Sequence, residues 1–146
     1  MDRPAGYADA MLPTWEPGTV AILSTGPGAP HAIPVSTAIA AGPDAILLAL
    51  ALRRESLARL RDEPRCALTI VAGGDVAVTV HGHATVVEEP LAEIGTVAAI
   101  RIDVDAVRDH GQDRFEIDAG VAWHWTDARA AAQDEAVRAA LLRLAG

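Results

Sequence analysis

Apolar and polar residues alternate with the period of a β-strand in three segments of the chain. In 75–87, Val76, Val78, Val80, Gly82, Ala84 and Val86 share one face and Ala77, Thr79, His81, His83 and Thr85 the other. That period of two places successive side chains on opposite sides of a sheet. Ala98, Ile100, Ile102 and Val104 alternate in the same way with Ala99, Arg101, Asp103 and Asp105. Phe115, Ile117, Ala119, Val121, Trp123 and Trp125 repeat the pattern once more, so both stretches are expected to be strands. Apolar and β-branched runs at 19–25, 31–41, 45–52 and 66–71 bring the expected set to roughly seven.

Turn chemistry separates these runs. Gly26-Pro27-Gly28-Ala29-Pro30 predicts a hairpin between the first two, and Gly42-Pro43-Asp44 a turn before the third. Two segments carry helical spacing instead. In 52–63, Leu57 and Leu60 sit on one face while Arg53, Arg54, Glu55, Arg59, Arg61, Asp62 and Glu63 cover the rest, and Pro64 stops the helix. At the C-terminus, Thr126 or Asp127 is the expected N-cap, followed by Val137, Leu141 and Leu144 on one side, Arg129 and Glu135 on the other, and a closing Gly146. Residues 1–18, with Pro4, Gly6, Pro13, Pro17 and Gly18, read as an arm carrying one helical turn, and 19–146 as a single domain. Alternating strands with short connections favour an antiparallel barrel over a doubly wound parallel sheet, giving a mainly β fold with flanking helices, an α+β class.

Charge and composition narrow the chemistry. The 146 residues carry a formal charge of −8, which repels a phosphate backbone and argues against nucleic acid as a partner. All 12 basic residues are arginine, so no lysine Schiff base can form. With one cysteine and no apolar export segment, a reducing, cytoplasmic setting is expected. The longest apolar run, 45–52, is far too short to span a membrane.

Individual side chains point to little chemistry by themselves. His81 and His83 share a strand face about 7 Å apart and could hold a metal with His124. No Cys, Asp or Glu completes a recognisable ligand spacing, so no metal site is expected. His31 and His110 lie in turn-rich stretches, and Arg59, Arg61 and Arg65 read as surface charge. Cys66, inside an apolar strand, reads as a small buried hydrophobe rather than a nucleophile. Trp123 and Trp125 read as core or dimer packing, with stacking on a cofactor ring as the alternative. Ser24 and Ser36 lack a Gly-x-Ser-x-Gly context, so a hydrolase is not indicated.

The order GPGAPHAIPVS, then AILLALALRRESLARLRDEPRCALTI, then DVAVTVHGHATVVEEP resembles the pyridoxamine 5'-phosphate oxidase-like split β-barrels over about residues 15–107. The resemblance rests on the Gly-Pro-Gly-Ala-Pro-His turn, on Leu60 four residues before Pro64, and on the strand carrying Val78, Val80 and Gly82. It implies an antiparallel split barrel of Greek-key type. It also implies a homodimer with two interfacial sites for FMN or, alternatively, a deazaflavin coenzyme, which transfers hydride with a small-molecule substrate. On that resemblance Pro34, Val35, Ser36 and Thr37 flank the ring system. Relatives usually hold the phosphate with a basic residue four to five positions before the leucine, where this chain has Ser56 and Glu55. Arg53 and Arg54 directly precede them, so Arg53, Arg54 and Ser56 are the expected phosphate ligands. No catalytic side chain is assigned, because the cofactor carries the chemistry. The alternative is a non-catalytic split-barrel dimer with cofactor binding lost or weakened, favoured by Glu55, Ser56 and by Ala77, where some relatives have glutamine.

Overall fold

The computed structural model describes residues 11–146, and the first ten residues of the expected arm lie outside the described residues. Strand β1 (Ala21–Thr25) and strand β2 (His31–Val35) form the expected hairpin, with Ala21 opposite Val35 and Thr25 opposite His31. Strand β3 (Ile39–Ala40) and strand β4 (Ala45–Ala51) follow, then helix α1 (Glu55–Asp62). Strands β5 (Arg65–Ala72), β6 (Val76–Glu88) and β7 (Val97–Asp109) and helix α2 (Ala128–Ala145) complete the order.

All strands join one antiparallel sheet in the order β2-β1-β5-β6-β7-β4-β3. Strands β2 and β3, adjacent in sequence, therefore stand at opposite ends of the sheet. Only Ser36, Thr37 and Ala38 separate Val35 from Ile39, a reach of at most ~14 Å, so the sheet must curl until its two ends meet. The expected single strand 31–41 is cut in two for the same reason, because its halves pair with different partners. At this seam the Thr37 hydroxyl accepts a hydrogen bond from the Ala49 backbone N–H at 3.0 Å.

Curling gives the sheet an inner core. Leu23, Ile46, Leu48, Leu68, Ile70, Val80, Ile100 and Ile102 are buried inside the barrel, where Leu57 and Leu60 of α1 join them. A second, smaller core lies outside, where Val137, Ala140 and Leu141 of α2 cover Leu47, Leu91 and Ala99. Strand β4 is buried on both faces, hence its near-continuous apolar run. Within the expected arm, Leu12 and Trp15 pack against the inner core, and Trp15 Nε1 donates to the Ala38 carbonyl at 2.8 Å. Asp127 is the N-cap of α2, accepting from the Arg129 N–H at 2.8 Å.

Strands β6 and β7 slip register between His81 and Gly82, opposite Ala106 and Val104, leaving Asp105 as the extra residue of a bulge. The strands approach closely there. A Cβ on Gly82 would lie 2.3 Å from the Asp103 carbonyl oxygen and 2.7 Å from Ile102 Cγ2, so only glycine fits.

The expected strand at 115–125 does not form. That segment is irregular and runs past the β5–β6 turn, where Ile117 N–H donates to Asp75 Oδ1 at 2.6 Å. It crosses β5 so closely that a Cβ on Gly120 would lie 3.0 Å from the Val71 carbonyl oxygen. Both edges of β5 are already taken by β1 and β6, so no ladder is open to it. Its apolar side stays partly uncovered, with Phe115 43%, Val121 64%, Trp123 38% and Trp125 44% exposed. Among the described residues, no helix is long and apolar enough to cross a membrane.

Candidate functional site

The seam of the barrel opens into a groove of about 520 Å³, within the size range of small-molecule sites. Pro34, Val35, Ser36 and Thr37 form one wall and Ala49, Leu50 and Ala51 of β4 the next. Arg54 stands at the start of α1, Gln133 and Asp134 project from α2, and Trp123 and Trp125 come from the irregular segment. The two indoles meet edge to face, with centroids 5.3 Å apart and planes at 83°, and Trp123 Nε1 donates to the Gly18 carbonyl at 2.8 Å.

Five of the expected cofactor residues thus share one cavity: Pro34, Val35, Ser36, Thr37 and Arg54. Arg54 occupies the N-cap position of α1 with extended backbone and no side-chain cap. The side chains of Arg53 and Arg54 make no ion pair or hydrogen bond among the described residues. Several other arginines are engaged, Arg59 with Glu55, Arg61 with Glu89, Arg65 with Glu63 and Arg143 with Glu88 and Glu93. Arg54 therefore offers an uncommitted guanidinium at the groove, a group suited to an anion. Arg53 is exposed but does not line the groove.

Ser56 lies elsewhere. It is fully buried, with Oγ 3.1 Å from His31 Nε2, while His31 Nδ1 lies 3.4 Å from Glu55 Oε2. The hydrogen bond from Arg59, reinforced by the charges of Arg59 and His31, holds the Glu55 carboxyl below the usual carboxylate range. Ser56, His31 and Glu55 have the connectivity of a nucleophile, base and orienting acid. A fully buried Oγ gives a substrate carbonyl no access, so the trio braces β2 against the start of α1.

Asp134 is the groove residue that sequence reasoning missed. Its side chain is 7% exposed and Oδ2 lies 2.6 Å from Arg138 Nη2. The signal was present, because Ala130, Asp134, Val137 and Leu141 are spaced four, three and four apart, placing a carboxylate in the apolar stripe of α2.

Elsewhere, His83 Nδ1 lies 3.2 Å from Asp105 Oδ2, and no group of three or more metal-ligating side chains occurs among the described residues. Cys66 is buried, and burial, with a smaller contribution from the charge of Asp105, pushes its thiol up to about 12.

No protein-family model matches the chain, and no curated protein matches it in sequence. Solved structures do match in fold. A Listeria innocua protein assigned as a pyridoxamine 5'-phosphate oxidase superposes with a TM-score of 0.54 at 13% identity, covering 64% of this chain and 90% of that one. The flavin reductase PheA2 matches with a TM-score of 0.51 at 13% identity over 75% of this chain and 91% of its own. An F420 reductase matches with a TM-score of 0.53 at 13% identity over 64% and 91%. The fold is a split barrel of the pyridoxamine 5'-phosphate oxidase-like type.

Proposed function

From that fold, we propose that the chain is the protomer of a homodimeric oxidoreductase that holds FMN, or alternatively a deazaflavin coenzyme, in the groove at the barrel seam. One observation carries the reading: Pro34, Val35, Ser36 and Thr37 share a single cavity with an uncommitted guanidinium at a helix start and a pair of indole rings. The residues present fit such a group, since Arg54 answers a phosphate and the apolar walls answer a planar ring. Arg53 lies next to Arg54 and adds positive potential at the mouth, while Ser56 acts through the brace it forms with His31. When bound, the cofactor supplies hydride chemistry, and the chain's own groups orient it and exclude water. Flavin-type names among the structural neighbours support the same reading. We place the second copy over the partly uncovered apolar side chains of Phe115, Val121, Trp123 and Trp125. A lone buried thiol suits the reducing cytoplasm.

Absorbance of the purified protein, followed by titration with FMN and with a deazaflavin coenzyme, tests the reading. Micromolar binding of one of them by a dimer in light scattering is expected; a protein that binds neither overturns it. A second reading, a split-barrel dimer with cofactor binding lost, draws on Glu55 and Ser56, neither of which lines the groove. It requires the dimer to persist with no flavin affinity.

A further inference from the structure

Among the described residues, two charged side chains line the groove, Arg54 at the start of α1 and Asp134 on α2. A carboxylate so deeply buried is costly unless its oxygens are answered. Arg138 answers Oδ2, and its own Nε is buried without a hydrogen-bond partner among the described residues. A carboxylate has acceptor capacity for about four hydrogen bonds, and among the described residues Arg138 is the partner of Asp134. Asp134 lines the groove together with Gln133 of the preceding position.

We infer that Asp134, with Gln133 beside it, is the specificity-determining end of the groove and takes an imide edge, the –CO–NH–CO– unit that presents acceptor, donor and acceptor. Asp134 accepts from the imide N–H, and the Gln133 amide donates to a flanking carbonyl. A ligand with its phosphate at Arg54 and its imide at Asp134 satisfies both charges. The reverse placement sets a phosphate against a carboxylate in a partly desolvated cavity. Flavins and deazaflavins both carry this imide, so the inference rests on the function proposed above and adds to it a defined orientation of the ligand.

The test titrates the full chain with FMN and with N3-methyl FMN, whose imide N–H is replaced by methyl. The same titrations are made on Asp134→Asn and Asp134→Ala. In Asp134→Asn the amide oxygen is drawn to Arg138, which turns the NH2 group toward the groove so that donor faces donor. FMN affinity is expected to fall roughly 10- to 100-fold in both variants, the loss of a hydrogen bond to a charged group. N3-methyl FMN is expected to bind the wild-type chain more weakly by a similar factor, and neither variant should weaken it further, because the interaction is already gone. Equal affinity of the wild type for the two flavins, or unchanged FMN affinity in a folded Asp134→Asn, overturns the inference while leaving cofactor binding intact. If a wild-type chain binds neither FMN nor a deazaflavin, the proposed function fails and the inference with it. If the variants do not fold by circular dichroism, the comparison of FMN with N3-methyl FMN on the wild type decides.

Discussion

The imidazole of His31 on β2 and the hydroxyl of Ser56 on α1 lie 3.1 Å apart, tying together two elements 25 residues distant in sequence. Ser56→Ala removes that partner from a partly buried ring and is expected to cost about 1 kcal/mol of stability, read by urea denaturation. FMN affinity should change by less than about threefold, a shift under 1 kcal/mol. A much larger loss of FMN affinity than of stability would mean that Ser56 touches the phosphate directly.

Arg54→Ala is expected to weaken FMN binding by about tenfold or more, the loss of a charge-assisted hydrogen bond, while riboflavin, which lacks the phosphate, should lose little. Arg53→Ala should have a smaller effect that fades as salt is raised, because its charge acts through solvent. Glu55→Lys should tighten FMN binding. Parallel fluorescence titrations with the two flavins separate these outcomes, and equal losses for FMN and riboflavin in Arg54→Ala would place the anion elsewhere.

Gly82→Ala drives a methyl group to 2.3 Å from the Asp103 carbonyl oxygen, in a bulge where both strands are fixed by their ladders. The expected destabilisation is about 3 kcal/mol, measured from the denaturant midpoint at unchanged m-value. A nearly neutral Gly82→Ala would show that β6 and β7 do not approach as described.

Cys66 links stability to alkaline pH. Burial, with the charge of Asp105, lifts its thiol from an ordinary 9.0 to about 12 in the folded chain. Above pH 9 the unfolded state loses this proton and the folded state keeps it. Because the unfolded state then binds fewer protons, stability falls as pH rises from about 9 to 12. Cys66→Ala should flatten that part of the profile in thermal melts recorded across the range. In the native protein the thiol should resist alkylation near neutral pH and react on unfolding.

Local patterning made much of the barrel legible. The alternation in Val76–Glu88, the hairpin around Gly26-Pro27-Gly28 and the cap at Asp127 are short-range properties that the structure reproduces. The segment 115–125 alternates just as cleanly, yet a strand also needs a free edge, and occupancy of both sides of β5 is decided by residues far away in sequence. The groove divides along the same line. Pro34, Val35, Ser36, Thr37 and Arg54 were reachable through resemblance because they sit on elements whose order is readable. Asp134 was reachable only by asking why a carboxylate stands in an apolar stripe. Ser56 shows the opposite limit, since spacing along α1 says nothing of the imidazole that β2 brings against it.

The three residues between Val35 and Ile39 act as a ruler. Exposed loops elsewhere in the chain can gain or lose a residue and leave the sheet unchanged. At 36–38, one added residue would let the two ends of the sheet drift apart and draw Thr37 away from the Ala49 N–H, widening the mouth of the groove with every core side chain still in place. At this point the length of the chain, more than the identity of its residues, is what the architecture constrains.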